Sequence, residues 1–245
     1  MKTYLRFVAA ALALLLLTGC GASTNNAEQT TEAKIQYPTP DKIIALTFDD
    51  GPDVDMSNIL DVFAEYDGKA TFFLIGKKID AETGEYVKRA YNEGHEIGNH
   101  GFNHIKMTEL KQDEVLSEIS QVQEAVKELI GVEPVWYRPP FLGANAFTYM
   151  LIDMPHAHCA VSAGDGDNST TAEERYQSVV SSARDGAIVL LHCNNITAEV
   201  LPRILHELKM QGYEFVTISE LFERAGNEPV SAPGFMYRTN TDTPK

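Results

Sequence analysis

The hexapeptide Thr47-Phe48-Asp49-Asp50-Gly51-Pro52 puts two adjacent carboxylates where an apolar run stops. Ile43, Ile44, Ala45, Leu46 and Phe48 suit one buried strand, and Gly51-Pro52 ends it. Asp49 and Asp50 therefore sit at the carboxyl end of a strand. Adjacent residues leaving a strand point to opposite sides, so the pair can serve one site in two roles, one binding a cation and the other taking a proton. Taken alone, Asp-Gly-Pro is also ordinary turn chemistry. About fifty residues on, His100 and His104 are spaced four apart, which brings both imidazoles to one side of a helical turn or tight loop. Imidazole and carboxylate suit zinc or another first-row divalent ion. Two histidines with one aspartate from a separate strand tip leave room for water, the layout of a hydrolytic metal rather than a structural one.

Two more segments carry polar groups at the ends of apolar runs. Trp136 to Phe141 brings Arg138 into a loop stiffened by Pro139 and Pro140, and Ala187 to His192 reads as a buried strand ending in histidine. Together with Thr47 to Pro52 and His100 to His104, these segments resemble the polysaccharide deacetylases of the NodB-homology group, carbohydrate esterase family 4. The resemblance spans about Asp41 to Arg224. It implies that Asp50, His100 and His104 hold one divalent metal ion, with zinc first and cobalt or nickel also accepted by this ligand set. It further implies that Asp49 is the catalytic base, Arg138 its orienting partner, and Phe141 the aromatic whose backbone N–H helps stabilise an oxyanion. His192 is implied as the general acid, with Asp165 or Asp167 as its carboxylate partner.

The expected activity is metal-dependent removal of acetyl groups from a polysaccharide, either O-acetyl esters of xylan or N-acetyl amides of an N-acetylglucosamine polymer. Arg138 to Leu142 and Ser169 to Tyr176 lean towards the acetyl-xylan esterase and clostridial branch. Four positions depart from the family pattern. Gly101 follows His100 where the family usually has Ser or Thr, and Leu142 follows Phe141 where it often has glycine. The Ala163 to Asn168 region lacks the usual tryptophan, and Cys193 follows His192 in place of an acid. None of these removes a metal ligand or the proposed acid and base. The competing expectation is a non-catalytic, carbohydrate-binding surface lipoprotein on a degenerate deacetylase fold. A peptide-cleaving metalloenzyme lacks support, because the chain has no His-Glu-x-x-His helix motif.

The elements that must position these groups alternate between strand and helix. Strand-like runs occur at Ile43–Phe48, Ala70–Ile75, Glu96–Gly98, Val135–Tyr137, Ala160–Ser162, Ala187–Leu191 and Glu214–Thr217. The clearest helix is Asp113–Ile130, where Val115, Ile119, Val122, Val126 and Leu129 step along one face and Gly131 then Pro134 mark the end. Such alternation argues for an α/β fold with parallel pairing, and the site residues fall at strand carboxyl ends, where α/β barrels place their chemistry. The expected fold is a single-domain, distorted (β/α) barrel of about seven parallel strands over residues 41–225. An open doubly wound sheet is the alternative. Residues 226–245, rich in Pro, Thr, Asn and Gly, read as a peripheral tail whose deletion leaves activity intact.

Ahead of the domain, residues 1–19 read as a lipoprotein signal peptide: Lys2 and Arg6, an apolar stretch from Phe7 to Leu17, then Leu17-Thr18-Gly19-Cys20. Cys20 is the expected lipidation site, and residues 20–40 the lipidated amino terminus and flexible tether. The expected location is the bacterial cell surface, attached to the membrane by lipid and facing an acetylated polysaccharide. Removal of residues 1–19 makes the formal charge of -15 two units more negative. That acidity disfavours nucleic acid as a partner. Cys159 and Cys193 are expected as unpaired thiols in buried strand patterns.

Overall fold

The computed structural model describes residues 35–167 and 169–244. The leader at 1–19, Cys20, the tether up to residue 34 and Asn168 lie outside the described residues. The compact unit begins at Tyr37, whose hydroxyl meets His206 Nδ1 at 3.1 Å.

The chain runs β1 (Lys42–Gly51), α1 (Val54–Tyr66), β2 (Ala70–Leu74), α2 (Thr83–Asn92), β3 (Glu96–Asn99), α3 (Gln112–Ile130), α4 (Ala146–Leu151), β4 (Val161–Ser162), α5 (Ala172–Ser182), β5 (Ala187–His192), α6 (Asn195–Met210), β6 (Tyr213–Phe215) and α7 (Ile218–Arg224). All strand pairs are parallel, in the order β3-β2-β1-β5-β4, and β6 pairs with the first residues of β1 below β2. Parallel pairing follows from the helices that return the chain between strands. The side chains alternate accordingly. Ala45, Phe73 and Ile188 join Trp136, Ala157 and Tyr237 in the barrel interior, while Leu46, Phe72 and Val189 face the helices. Helix α3 covers the expected stretch and stops at Gly131, which takes the left-handed φ of 80° that a helix end uses.

Among the described residues six strands form, one fewer than the sequence predicts. Of the run Val135–Tyr137, only Tyr137 makes bridges, to Asn99 on one side and His156 on the other. Ala157 then bridges to Tyr237, so irregular segments complete the wall between β3 and β4. This is the distortion of the barrel.

The expectation of a peripheral tail at 226–245 is corrected by Tyr237, which is 2% exposed. Its backbone N–H donates to His156 O at 2.8 Å, its carbonyl accepts from His158 N at 2.8 Å, and Ile188 N donates to Arg238 O at 2.9 Å. Its ring lies 5.2 Å from that of Phe222 and 5.6 Å from that of Trp136. Composition misread the segment because one aromatic, set among turn residues, fills the gap that the irregular wall leaves open. Among the described residues, no helix is long and apolar enough to cross a membrane.

Candidate metal centre and catalytic cleft

Strand β1 delivers both aspartates to one cleft through a break in its own regularity. The register against β2 shifts between Asp49 and Gly51, and Asp50 takes a left-handed φ of 71°. A bulge of this kind re-aims a side chain. Lys78 holds the distorted backbone by donating to Asp50 O at 2.6 Å. The Asp50 carboxylate oxygen Oδ1 then lies 3.3 Å from His104 Nε2 and 3.5 Å from His100 Nε2. One ligand atom from each of Asp50, His100 and His104 falls within 4.8 Å of the others.

The donor set fits a small divalent cation. Asp50 Oδ1 is buried and makes no hydrogen bond, which is costly for a carboxylate oxygen without a cation beside it. His100 Nδ1 is 2.7 Å from Arg138 O and can only donate there, so Nε2 is left as the lone-pair nitrogen facing Asp50. Burial pushes the His104 imidazole below its ordinary value, against the pull of the Asp50 carboxylate, which favours the neutral form that ligates metals.

Two further groups line the same cavity of about 570 Å³, Asp49 and His192, each held from behind by a buried partner. Arg138 is fully buried and donates from Nη1 to Asp49 Oδ1 and to Thr47 Oγ1, both at 2.7 Å, and from Nη2 to His158 O at 2.9 Å. Its guanidinium also lies 4.2 Å from the Phe73 ring centroid. Arg138 thus orients Asp49 with its side chain and His100 with its carbonyl. Asp49 Oδ2, 3.7 Å from His100 Nε2, is the oxygen that Arg138 does not engage.

On the opposite wall, His192 Nδ1 meets Asp165 Oδ1 at 2.8 Å, while Asp165 Oδ2 accepts from His192 N at 2.9 Å and from Thr197 Oγ1 at 2.7 Å. Burial opposes charge on His192, yet the Asp165 hydrogen bond and the charges of Asp49, Asp165 and Asp50 raise the imidazole above its ordinary value. Burial likewise works to raise Asp165, and the bonds from His192 and Thr197 outweigh it and lower that carboxyl. Asp167 is not a partner of His192. It is exposed, with Oδ1 accepting from Ser169 N at 3.0 Å, although it borders the cavity. Gly166, next to Asp165, lets the chain pass close to His192: a Cβ there would sit 3.2 Å from the ring.

Phe141 is 62% exposed, at the cavity mouth, with its ring 4.7 Å from that of His104. Phe141 and Leu142 both take left-handed φ values, 58° and 54°, which explains why glycine suits position 142 and marks the loop as held by its surroundings. Among the described residues Cys159 and Cys193 are unpaired, and Cys193 is buried outside the ligand cluster, its thiol pushed up by burial. Thr47, Thr197, Arg175 and Glu118 were not singled out from sequence. Arg175 is fully buried and donates to Thr197 Oγ1 at 2.9 Å, which steadies the hydroxyl that holds Asp165. Only its position within the polar Ser169 to Tyr176 segment hinted at it.

A family profile described as polysaccharide deacetylase matches residues 36–152. The chain is 39% identical over 221 residues to a bifunctional xylanase/deacetylase of Pseudobutyrivibrio xylanivorans, covering 89% of this chain and 36% of that protein. It is 39% identical over 183 residues to the peptidoglycan-N-acetylglucosamine deacetylase PgdA of Listeria monocytogenes, covering 74% of this chain and 39% of that protein. The chain therefore spans well under half the length of these two relatives. A family 4 acetyl xylan esterase from Clostridium thermocellum, solved with a cobalt ion, superposes with a TM-score of 0.77 at 36% identity, covering 81% of this chain and 98% of that one.

Proposed function

The chain belongs to the polysaccharide deacetylase family, and from that premise we propose that it is a metal-dependent hydrolase that removes acetyl groups from a polysaccharide. The observation that carries this reading is the convergence on one cavity of Asp50, His100 and His104 with the Asp49–Arg138 and His192–Asp165 pairs. A divalent ion held by Asp50, His100 and His104 supplies Lewis-acid polarisation of the acetyl carbonyl and a more acidic water.

The protein's own groups move the protons. Asp49, held by Arg138 through Oδ1, takes a proton from the attacking water with its other oxygen. His192 keeps its Nδ1 proton on Asp165 and presents Nε2 to the leaving oxygen or nitrogen, to which it donates when the tetrahedral species collapses. The Phe141 backbone N–H stabilises the oxyanion, a contact type whose removal costs about 3 kcal/mol in other enzymes. The exposed Phe141 ring offers a flat apolar face beside the reacting centre.

Acetylated xylan is the substrate class we favour, with N-acetylglucosamine polymers second. Similarity to a xylanase/deacetylase and an acetyl xylan esterase supports this order. Acetate release from acetylxylan, chitooligosaccharides and peptidoglycan, with chelator and then with metal restored, tests it. Metal-dependent release from acetylxylan is the expected result. A metal-bound protein that frees no acetate from any of the three would overturn the enzymatic reading in favour of a carbohydrate-binding one. We also propose that Cys20, behind Leu17-Thr18-Gly19, carries a lipid that tethers the domain to the outer face of a bacterial membrane. Unchanged membrane association of Cys20→Ala would refute the anchor.

A further inference from the structure

The two imidazoles of the cluster come from a five-residue loop with two left-handed residues. Gly101 has a φ of 76°, a conformation that suits glycine, and having no side chain it contributes no bracing group to the turn. His104 is also left-handed, at a φ of 56°. The loop needs an external support.

Helix α3 provides one. Glu118 is one of its four buried positions, beside Val115, Val122 and Val126, and is 5% exposed. A carboxylate in that place must be hydrogen-bonded to be tolerated. Both of its oxygens grip Asn103: Oε2 accepts from Asn103 N at 2.7 Å and Oε1 from Asn103 Nδ2 at 2.6 Å. A second grip from the same helix reaches the other end of the loop. Asn99 donates from Nδ2 to Ile119 O and to Gln123 Oε1, each at 3.0 Å, and its Oδ1 accepts from Gly101 N at 2.9 Å.

We propose that Glu118 is a positioning residue: by clamping Asn103, it aims the adjacent His104 at Asp50 and replaces the bracing that a hydroxyl at position 101 would give. This inference rests on the metal-binding reading of Asp50, His100 and His104. Its readout is the affinity of the metal-stripped protein for cobalt(II) alone, followed by isothermal titration and the cobalt absorption spectrum, with thermal unfolding of the stripped protein run beside it.

Glu118→Ala is expected to weaken cobalt(II) binding about 10- to 100-fold. Glu118→Gln restores most of it, because its carbonyl still accepts from Asn103 N and its amide can donate to a flipped Asn103 side chain. A purely structural role would lower the unfolding temperature and leave the affinity of the folded protein alone, and that result overturns the proposal. If Glu118→Ala does not fold, Asn103→Ala, at an exposed loop position, removes the Oε1 contact by itself. A several-fold loss of affinity supports the clamp, and unchanged affinity overturns it. Wild-type protein that takes up no cobalt(II) overturns the metal reading itself, and this inference with it.

Discussion

Asp49 and Asp50 are neighbours in sequence, yet each addresses a different partner in the same cleft. Regular strand alternation would send them to opposite sides of the sheet, and the left-handed turn at Asp50 brings both to the cavity. The division of labour predicts that Asp49→Asn lowers acetate release by roughly 10²- to 10⁴-fold. Metal content, measured on the same samples, stays unchanged. The His192–Asp165 pair predicts a pH effect. Because His192 is raised, it stays protonated above the range of free imidazole, and activity falls as pH rises through the raised value. Asp165→Asn removes a leading cause of that shift, so the alkaline limb of the rate profile moves to lower pH. The sign for stability is the same. The His192 contribution is complete below its unfolded value and fades as pH rises through the folded one, while that of the lowered Asp165 fades as pH falls through its folded value.

At the scale of elements, the strands that carry chemistry were legible because each is an apolar run closed by a polar residue at its tip, as in β1 and β5. Helix α3 was legible from its stripe of valines. Glu118 was not, since a glutamate on a helix reads as surface until the facing loop is known. Thr47 and Thr197 were hidden for a related reason: a threonine in an apolar strand or a helical turn carries no sign of which distant carboxylate or guanidinium it meets. The Val135–Tyr137 run failed as a strand because only one of its residues finds neighbours on both sides. The loop after β3 offers a direct check. Gly101→Ala meets both the Met107 methyl and a left-handed backbone, so urea unfolding should show a loss of about 1 kcal/mol or more.

For the whole molecule, the barrel wall is complete only with the residues that follow α7. Tyr237 fills the interior beside Trp136 and Phe222, and its hydroxyl accepts from Val230 N at 3.0 Å. Tyr237→Ala should cost about 3–5 kcal/mol, the range for removing a large buried aromatic, and calorimetry would show it as a lowered unfolding temperature. Truncation after Arg224 should be more damaging still, with loss of both folding and acetate release. Composition could not foretell this, because one ring decides it and the surrounding turn residues dominate any average. The order of synthesis adds a consequence. Tyr237 and Arg238 follow α7 in the chain and are bonded to the 156–158 segment and to Ile188. A ribosome has therefore made every strand and helix from β1 to α7 before those backbone partners exist, so the seam stays open in the nascent domain even after α7 has emerged.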